Sequence, residues 1–291
     1  MTPGPFEYHR PTSIEEALSL LQQFGDEGKI LAGGHSLIPM MKLRLAQPAH
    51  LIDINAITAL QKISEEDGEI VIGAAVTQAQ VLASKLLAEK CPLLGAATEQ
   101  IADPQVRNCG TVGGNCANGD PGNDYPAVMM ALEASYTLGG AGAERQVAAR
   151  DFYQGIYTTA LAPDELLAAI RIPIPAPGTG QAYHKLKRKV GDFAIAAAAV
   201  CLSLEDQRCT AARVALTNVA DTALLAAAAG ESLVGTAVDD QAINAAAEQA
   251  MSGCDPAADM HGPAVYRTHM AGEMTRRAIR AALAQAGRTQ A

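Results

Sequence analysis

Two glycine pairs, Ala32-Gly33-Gly34-His35-Ser36 and Thr111-Val112-Gly113-Gly114-Asn115, are the residues of this 291-residue sequence whose types and spacing suit chemistry. A Gly pair lets the main chain come close to a ligand and turn its N–H groups inward, making a nest for phosphate oxygens. Neither loop contains Lys or Arg, so a pyrophosphate held there would rest on amide dipoles and the hydroxyls of Ser36 and Thr111. Taken singly, a Gly pair after a strand is more often a tight turn. Two matched loops about eighty positions apart shift the balance toward a dinucleotide-type ligand. Neither loop reads G-x-G-x-x-G or G-x-x-x-x-G-K-[ST], which excludes a Rossmann fingerprint and a P-loop. The residues themselves stop at a phosphate-bearing cofactor held by backbone amides.

Other chemistry is sparse. Six cysteines, at positions 91, 109, 116, 201, 209 and 254, form no Cys-x-x-Cys, and no His pairs with them at zinc spacing. They read as free thiols of a reducing compartment, with Cys109 and Cys116 as small buried fillers beside the second loop. No Ser/His/Asp or Cys/His grouping and no paired carboxylates occur at a recognisable spacing, so no catalytic residue and no metal ligand is assigned. Lys+Arg 22 against Asp+Glu 31 leaves a net charge of −9, which argues against nucleic acid or an anionic membrane surface as the main partner. The N-terminal residues have neither a basic start nor an apolar stretch, and the longest apolar run is far short of the ~20 residues that span a bilayer. The expectation is a cytoplasmic chain without a secretory signal or transmembrane segment.

The elements that must position the two loops follow from capping and periodicity. Ser13-x-x-Glu16 reads as a capping box opening the first helix. Strands fit Lys29–Leu31, Leu51–Ile54 and the stretch from Glu69, and helices fit 78–87 and the segment opened by Pro92. Residues 102–125, rich in Gly, Asn, Asp and Pro, read as irregular, followed by a buried helix over 126–134. Three prolines and two glycines in 172–180 mark a stiff connection. Beyond it, 193–204 and 212–219 look like strands, although alanine-rich runs are ambiguous, and 240–251 and 265–286 look like helices. The composition, 49% hydrophobic and 4% aromatic with no Trp, implies a finely packed aliphatic core.

The segments AGGHSLIPMMKLRLAQPAHLIDI and QIADPQVRNCGTVGGNCANGDPGNDYPAVMMALEA resemble the FAD-binding (medium) subunit of the molybdenum hydroxylases, the xanthine dehydrogenase family. DFYQGIYTTALAPDELLAAIRIP resembles the end of that FAD domain, and KLKRKVGDFAIAAAAV the start of its C-terminal domain. The four segments stand in family order over residues 32–200. Many members read Ala-Gly-Gly-Thr-Asp-Leu in the first loop. The His35-Ser36 form, with GDPGNDYPAVM, is most similar to the aerobic carbon monoxide dehydrogenase branch. The equivalent flavin subunit of an N-heterocycle or aldehyde dehydrogenase, a nucleotide-binding assembly protein and a self-contained flavin oxidoreductase stay open as alternatives.

The resemblance implies an α+β fold: a two-part FAD-binding domain of the PCMH / vanillyl-alcohol-oxidase-like type over 1–177, its subdomains dividing near 55–60, then a small α+β C-terminal domain over 178–291. It implies an oxidoreductase subunit that carries FAD. A large molybdenum–pterin subunit with the molybdenum cofactor oxidises the substrate, and a small subunit relays electrons through two [2Fe–2S] clusters. The assembly implied is a dimer of heterotrimers with quinone as acceptor, possible at the inner membrane face through partners. By matching positions, Ala32, Gly33, Gly34, His35, Ser36 and Leu37, with Thr111, Gly113, Gly114 and Asn115, hold the pyrophosphate and adjacent ribityl. Asp124 bonds cofactor hydroxyls or caps the helix that follows. Ile101 and Val106 line the cleft or pack in the core. Lys185 and Lys187 place positive charge near the flavin ring or form a solvated patch. Phe193 covers the isoalloxazine or enters the core.

Overall fold

A computed structural model describes residues 2–140, 142 and 144–289 of the chain. The first unit is a parallel sheet. It comprises β1 (Glu7–His9), α1 (Ile14–Phe24), β2 (Gly28–Leu31), α2 (Leu37–Lys42) and β3 (His50–Asp53), with β3 between β1 and β2. Ser13 Oγ accepts the Glu16 N–H at 3.2 Å, but the Glu16 carboxylate turns to the Thr12 N–H, so only half of the expected capping box forms. Ala17 and Leu21 of α1 pack on Ile52 and Ile54 in a small core beneath the sheet.

The second unit runs from β4 (Ile63–Glu66) and β5 (Glu69–Gly73) through helices α3 (Gln78–Ala83), α4 (Lys85–Lys90), α5 (Pro92–Gln100), α6 (Pro104–Cys109), α7 (Val112–Ala117) and α8 (Asp124–Ala131). It then returns through β6 (Ser135–Gly139), β7 (Arg145–Ala148), the short α9 (Ala149–Phe152), the β8 (Tyr153–Gly155) and β9 (Thr158–Thr159) pair, and β10 (Leu166–Pro173). The main sheet is antiparallel, in the order β4-β5-β10-β6-β7. The capping box that does form is Thr77 with Gln80 at the start of α3. The single helix expected over 78–87 breaks at Ser84, whose side chain caps α4.

The stretch 102–125 is not the irregular coil expected. Asp103 accepts from Gln105 and Val106 N–H with Pro104 in the first turn, which starts α6, and Thr111 caps α7. Both glycines of the second pair therefore lie inside a helix. A Cβ on Gly113 would fall 2.4 Å from Ala74 Cβ, so the glycine serves close packing on the chain leaving β5.

The third unit is an antiparallel sheet of β11 (Gly180–Leu186), β12 (Ala196–Glu205), β13 (Arg208–Thr217) and β14 (Leu224–Leu225), with α10 (Ala227–Glu231), α11 (Asp240–Ser252) and α12 (Ala264–Thr289). The alanine run of β12 is a strand buried on both faces. Ala196, Ala198 and Val200 join the core that contains Ala271, Met274 and Ala278 of α12, whereas Ala197, Ala199 and Cys201 join the core that contains Leu93, Leu94 and Val128 of the second unit. Small side chains let helices close on both sides: a Cβ on Gly180 would fall 1.8 Å from the Ala282 carbonyl oxygen. The strand begins at Ala196, so Phe193 lies in the preceding loop and is 58% exposed rather than core. Cys109 is likewise exposed, not a buried filler, while Cys116 is buried. Burial pushes the Cys91, Cys116 and Cys201 thiols up to about 12, so these three are inert packing groups.

Candidate functional site

The parallel sheet, the second unit and the loop before β12 enclose a cleft of about 870 Å³, in the upper part of the 300–1,000 Å³ range of cofactor sites. One wall is the first glycine loop. Gly34 has φ +73°, a left-handed conformation that glycine adopts without strain. Among the described residues, none accepts a hydrogen bond from the main-chain N–H of Gly33, Gly34, His35 or Ser36. Four unpaired donors on the wall of a cleft are what an anionic group held by dipoles requires.

The second loop meets the first directly. A Cβ on Gly33 would lie 2.6 Å from the Cys109 carbonyl oxygen, and one on Gly114 would lie 3.3 Å from Ala32 Cβ. The amides of the second loop are occupied. Val112 and Gly113 donate to the carbonyls of Val76 and Ala74, Gly114 donates to Thr111 Oγ1 at 3.0 Å, and Asn115 donates to the Thr111 carbonyl. What this loop offers the cleft is the Asn115 side chain, whose Oδ1 is buried without a partner. Two further buried and unpartnered oxygens line the same cleft, Gln78 Oε1 and Asp192 Oδ2. Buried polar atoms without partners are costly, and three on residues of one cleft wall are groups that a polar ligand would satisfy.

At the inner end, Asp124 ties the second unit to the third. Its N-cap neighbour is Asn123, and Asp124 itself is the first helical residue, so the capping alternative for it does not hold. Its carboxylate accepts from the Tyr183 hydroxyl and, at 2.8 Å, from Lys185 Nζ, both on β11. The Lys185 and Asp124 side chains are 1% and 5% exposed. Removing one partner of such a pair leaves an uncompensated charge that costs about 3–5 kcal/mol. Burial first, and then the Asp124 charge, push the Tyr183 hydroxyl well above its ordinary range, so it stays a donor. Lys187 Nζ bonds the Gln100 carbonyl and does not reach the cleft wall. Burial and then the Lys185 charge lower its pKa.

Ala32 to Leu37, Ile101, Val106, Thr111, Gly113, Gly114, Asn115, Asp124, Lys185 and Phe193 all line the cleft, with Lys187 behind them. Ile101 also belongs to the core, being 7% exposed. Phe193 stands at the rim over Gly122, where a Cβ would lie 3.2 Å from its ring. Sequence reasoning missed Gln78, Asp192 and Tyr157. Tyr157 is a second exposed aromatic on the wall, and its hydroxyl donates to Asp120 at 3.0 Å. The only signal for Gln78 and Asp192 was a polar residue next to a cap or a glycine. The donor and acceptor set suits a dinucleotide: free amides for phosphates, orphaned side-chain oxygens for hydroxyls, and apolar walls with rim aromatics for a ring system.

Residues 4–175 match the family of FAD-binding domains in molybdopterin dehydrogenase, and residues 181–282 match the CO dehydrogenase flavoprotein C-terminal domain. The chain is 54% identical to the carbon monoxide dehydrogenase medium chain of Afipia carboxidovorans, over 98% of this chain and 99% of that one. It is 35% identical to the 6-hydroxypseudooxynicotine dehydrogenase complex subunit alpha of Paenarthrobacter nicotinovorans, over 100% of this chain and 98% of that one. The fold is similar to a chain in the structure of reconstituted CO dehydrogenase from Oligotropha carboxidovorans, with a TM-score of 0.97 over 98% of this chain, all of that chain and 54% identity.

Proposed function

This chain belongs to the family of FAD-binding domains in molybdopterin dehydrogenase, and from that premise we propose that it is the FAD-carrying subunit of a carbon monoxide dehydrogenase. The observation that carries the substrate is full-length likeness: 54% to a carbon monoxide dehydrogenase medium chain, against 35% to the 6-hydroxypseudooxynicotine dehydrogenase complex subunit alpha. In this reading a large molybdenum–pterin subunit oxidises carbon monoxide and a small subunit with two [2Fe–2S] clusters delivers electrons. FAD held in the cleft would supply the redox chemistry between these clusters and an external acceptor.

The protein's own residues do the rest. The free amides at Gly33 to Ser36 bind the pyrophosphate. Asn115, Gln78 and Asp192 take cofactor hydroxyls and amides, while Phe193 and Tyr157 flank the ring system and limit solvent access. Lys185 keeps a buried positive charge close to the cleft, compensated by Asp124, and such a charge favours electron density accumulating on a neighbouring ring. The FAD-binding unit is read as 1–177 and the C-terminal unit as 178–291. The acceptor is quinone, and the assembly is a dimer of heterotrimers on the cytoplasmic side. Among the described residues no helix is long and apolar enough to cross a membrane.

The test is anaerobic addition of carbon monoxide to the co-expressed three-subunit complex. Bleaching of the oxidised-flavin bands, reversed by quinone, is the expected result. Flavin bands that stay unchanged while the iron–sulfur signals report reduction would overturn the electron route. Bleaching by an N-heterocycle or aldehyde but not by carbon monoxide would overturn the substrate.

A further inference from the structure

Outside the cleft, the side chains of Glu7, His9 and His50 converge. Glu7 and His9 stand two positions apart on β1, so they project from one face of the sheet. β1 pairs with β3 in parallel with Glu7 opposite His50, which brings the third side chain to the same place. His9 Nε2 lies 3.1 Å from His50 Nδ1, and Glu7 Oε2 lies 3.9 Å and 3.4 Å from these two nitrogens. The Phe24 ring stacks on His50 at 3.7 Å and 6° and lies 4.8 Å from the His9 ring, so both imidazoles are held by packing. None of Glu7, His9 and His50 lines the cofactor cleft.

We propose that Glu7, His9 and His50 form a binding site for a divalent transition-metal ion of the Zn²⁺ type. A triangle with sides of 3.1, 3.4 and 3.9 Å has a point about 2.0 Å from all three corners, and Zn²⁺ bonds imidazole nitrogen and carboxylate oxygen at about 2.0–2.2 Å. Two imidazoles and one carboxylate are a borderline donor set. It suits Zn²⁺, Cu²⁺, Ni²⁺ or Fe²⁺ and disfavours Mg²⁺ and Ca²⁺, which take oxygen ligands. The Glu7 side chain is 73% exposed, so the ion has an entry path and a solvent-facing position for water. A hydrogen bond satisfies His9 and His50 pairwise, but it gives no reason for a third ligand atom to face the same point. The consequence is mechanical: the ion would clamp the three-residue β1 onto β3, adding cross-links to a strand end otherwise held by the Glu7 N–H on the Ala49 carbonyl and the short ladder beside it.

The experiment uses the full chain carrying a tag without histidines. The chain is stripped with a chelator and titrated with Zn²⁺ by calorimetry, with thermal unfolding followed in parallel. One Zn²⁺ per chain is expected, together with a rise in Tm. Binding should weaken about tenfold or more in Glu7→Gln and disappear in His9→Gln and His50→Gln. Glu7→Gln keeps the test valid should His50→Gln fail to fold, because that side chain is exposed and outside every core. No site tighter than about 100 μM, or a Zn²⁺ retained in both Glu7→Gln and His9→Gln, overturns the proposal.

Discussion

The two glycine pairs touch each other across one cleft but send their N–H groups to different places. At Gly33, Gly34, His35 and Ser36 the amides have no protein acceptor. From Val112 to Asn115 every amide is taken, by Ala74, Val76 or Thr111. The glycines of the first loop free a main-chain surface for a ligand and, at Gly33, let the other loop approach. Those of the second let a helix lie on the backbone that leaves β5, where a Cβ on Gly113 would meet Ala74 at 2.4 Å. The same short pattern thus serves a ligand in one place and the scaffold in the other. The discriminating quantity is where the hydrogen bonds go.

The sharpest way to break this division is Gly113→Ala. Overpacking rigid backbone costs up to about 3 kcal/mol or more, so thermal unfolding of FAD-free protein should show a large loss of Tm that added FAD does not restore. Asn115→Ala should behave in the opposite way. It removes no hydrogen bond made within the protein, so FAD-free stability should change little, whereas a titration should show FAD affinity falling about tenfold, the worth of roughly one polar contact. Thr111→Val removes the cap on Gly114 and should cost about 1 kcal/mol of stability measured without FAD. His35→Ala leaves the amide in place and removes only an exposed side chain. FAD affinity should stay within about twofold, corresponding to the ±0.5 kcal/mol of ordinary surface changes; a hundredfold loss would move the first loop from amide to side-chain recognition.

A pH prediction concerns the remote end of the third unit. Burial raises the Asp259 carboxyl, but its bonds to Arg267 and His261 outweigh this and hold it at about 2. A carboxyl depressed in the folded state adds stability above its unfolded value near 4, and that stability is lost as pH falls toward 2. Asp259→Asn should therefore unfold at a lower temperature than the parent at pH 7, with the gap closing between about pH 4 and 2.

Elements with local signals were legible in the sequence. Ser13 and Pro92 announce helix starts, and the proline-rich 172–180 separates two sheets. Elements held by tertiary contact were not. β1 is a polar tripeptide that exists because it pairs with β3, and α7 carries two glycines in its first turn because Ala74 and Thr111 hold it. The β12 alanines were ambiguous because a strand buried on both faces loses its alternation. The first loop could be read from its glycines, but an orphaned oxygen at Gln78 or Asp192 is defined only by what the fold fails to place beside it.

Hydrogen exchange on the assembled complex, prepared with and without FAD, tests the central claim most directly. The account predicts that a peptide spanning 32–37 exchanges fast without FAD and slows when it is bound, while 112–117 is slow in both. Fast exchange at 32–37 that bound FAD leaves unchanged would contradict it.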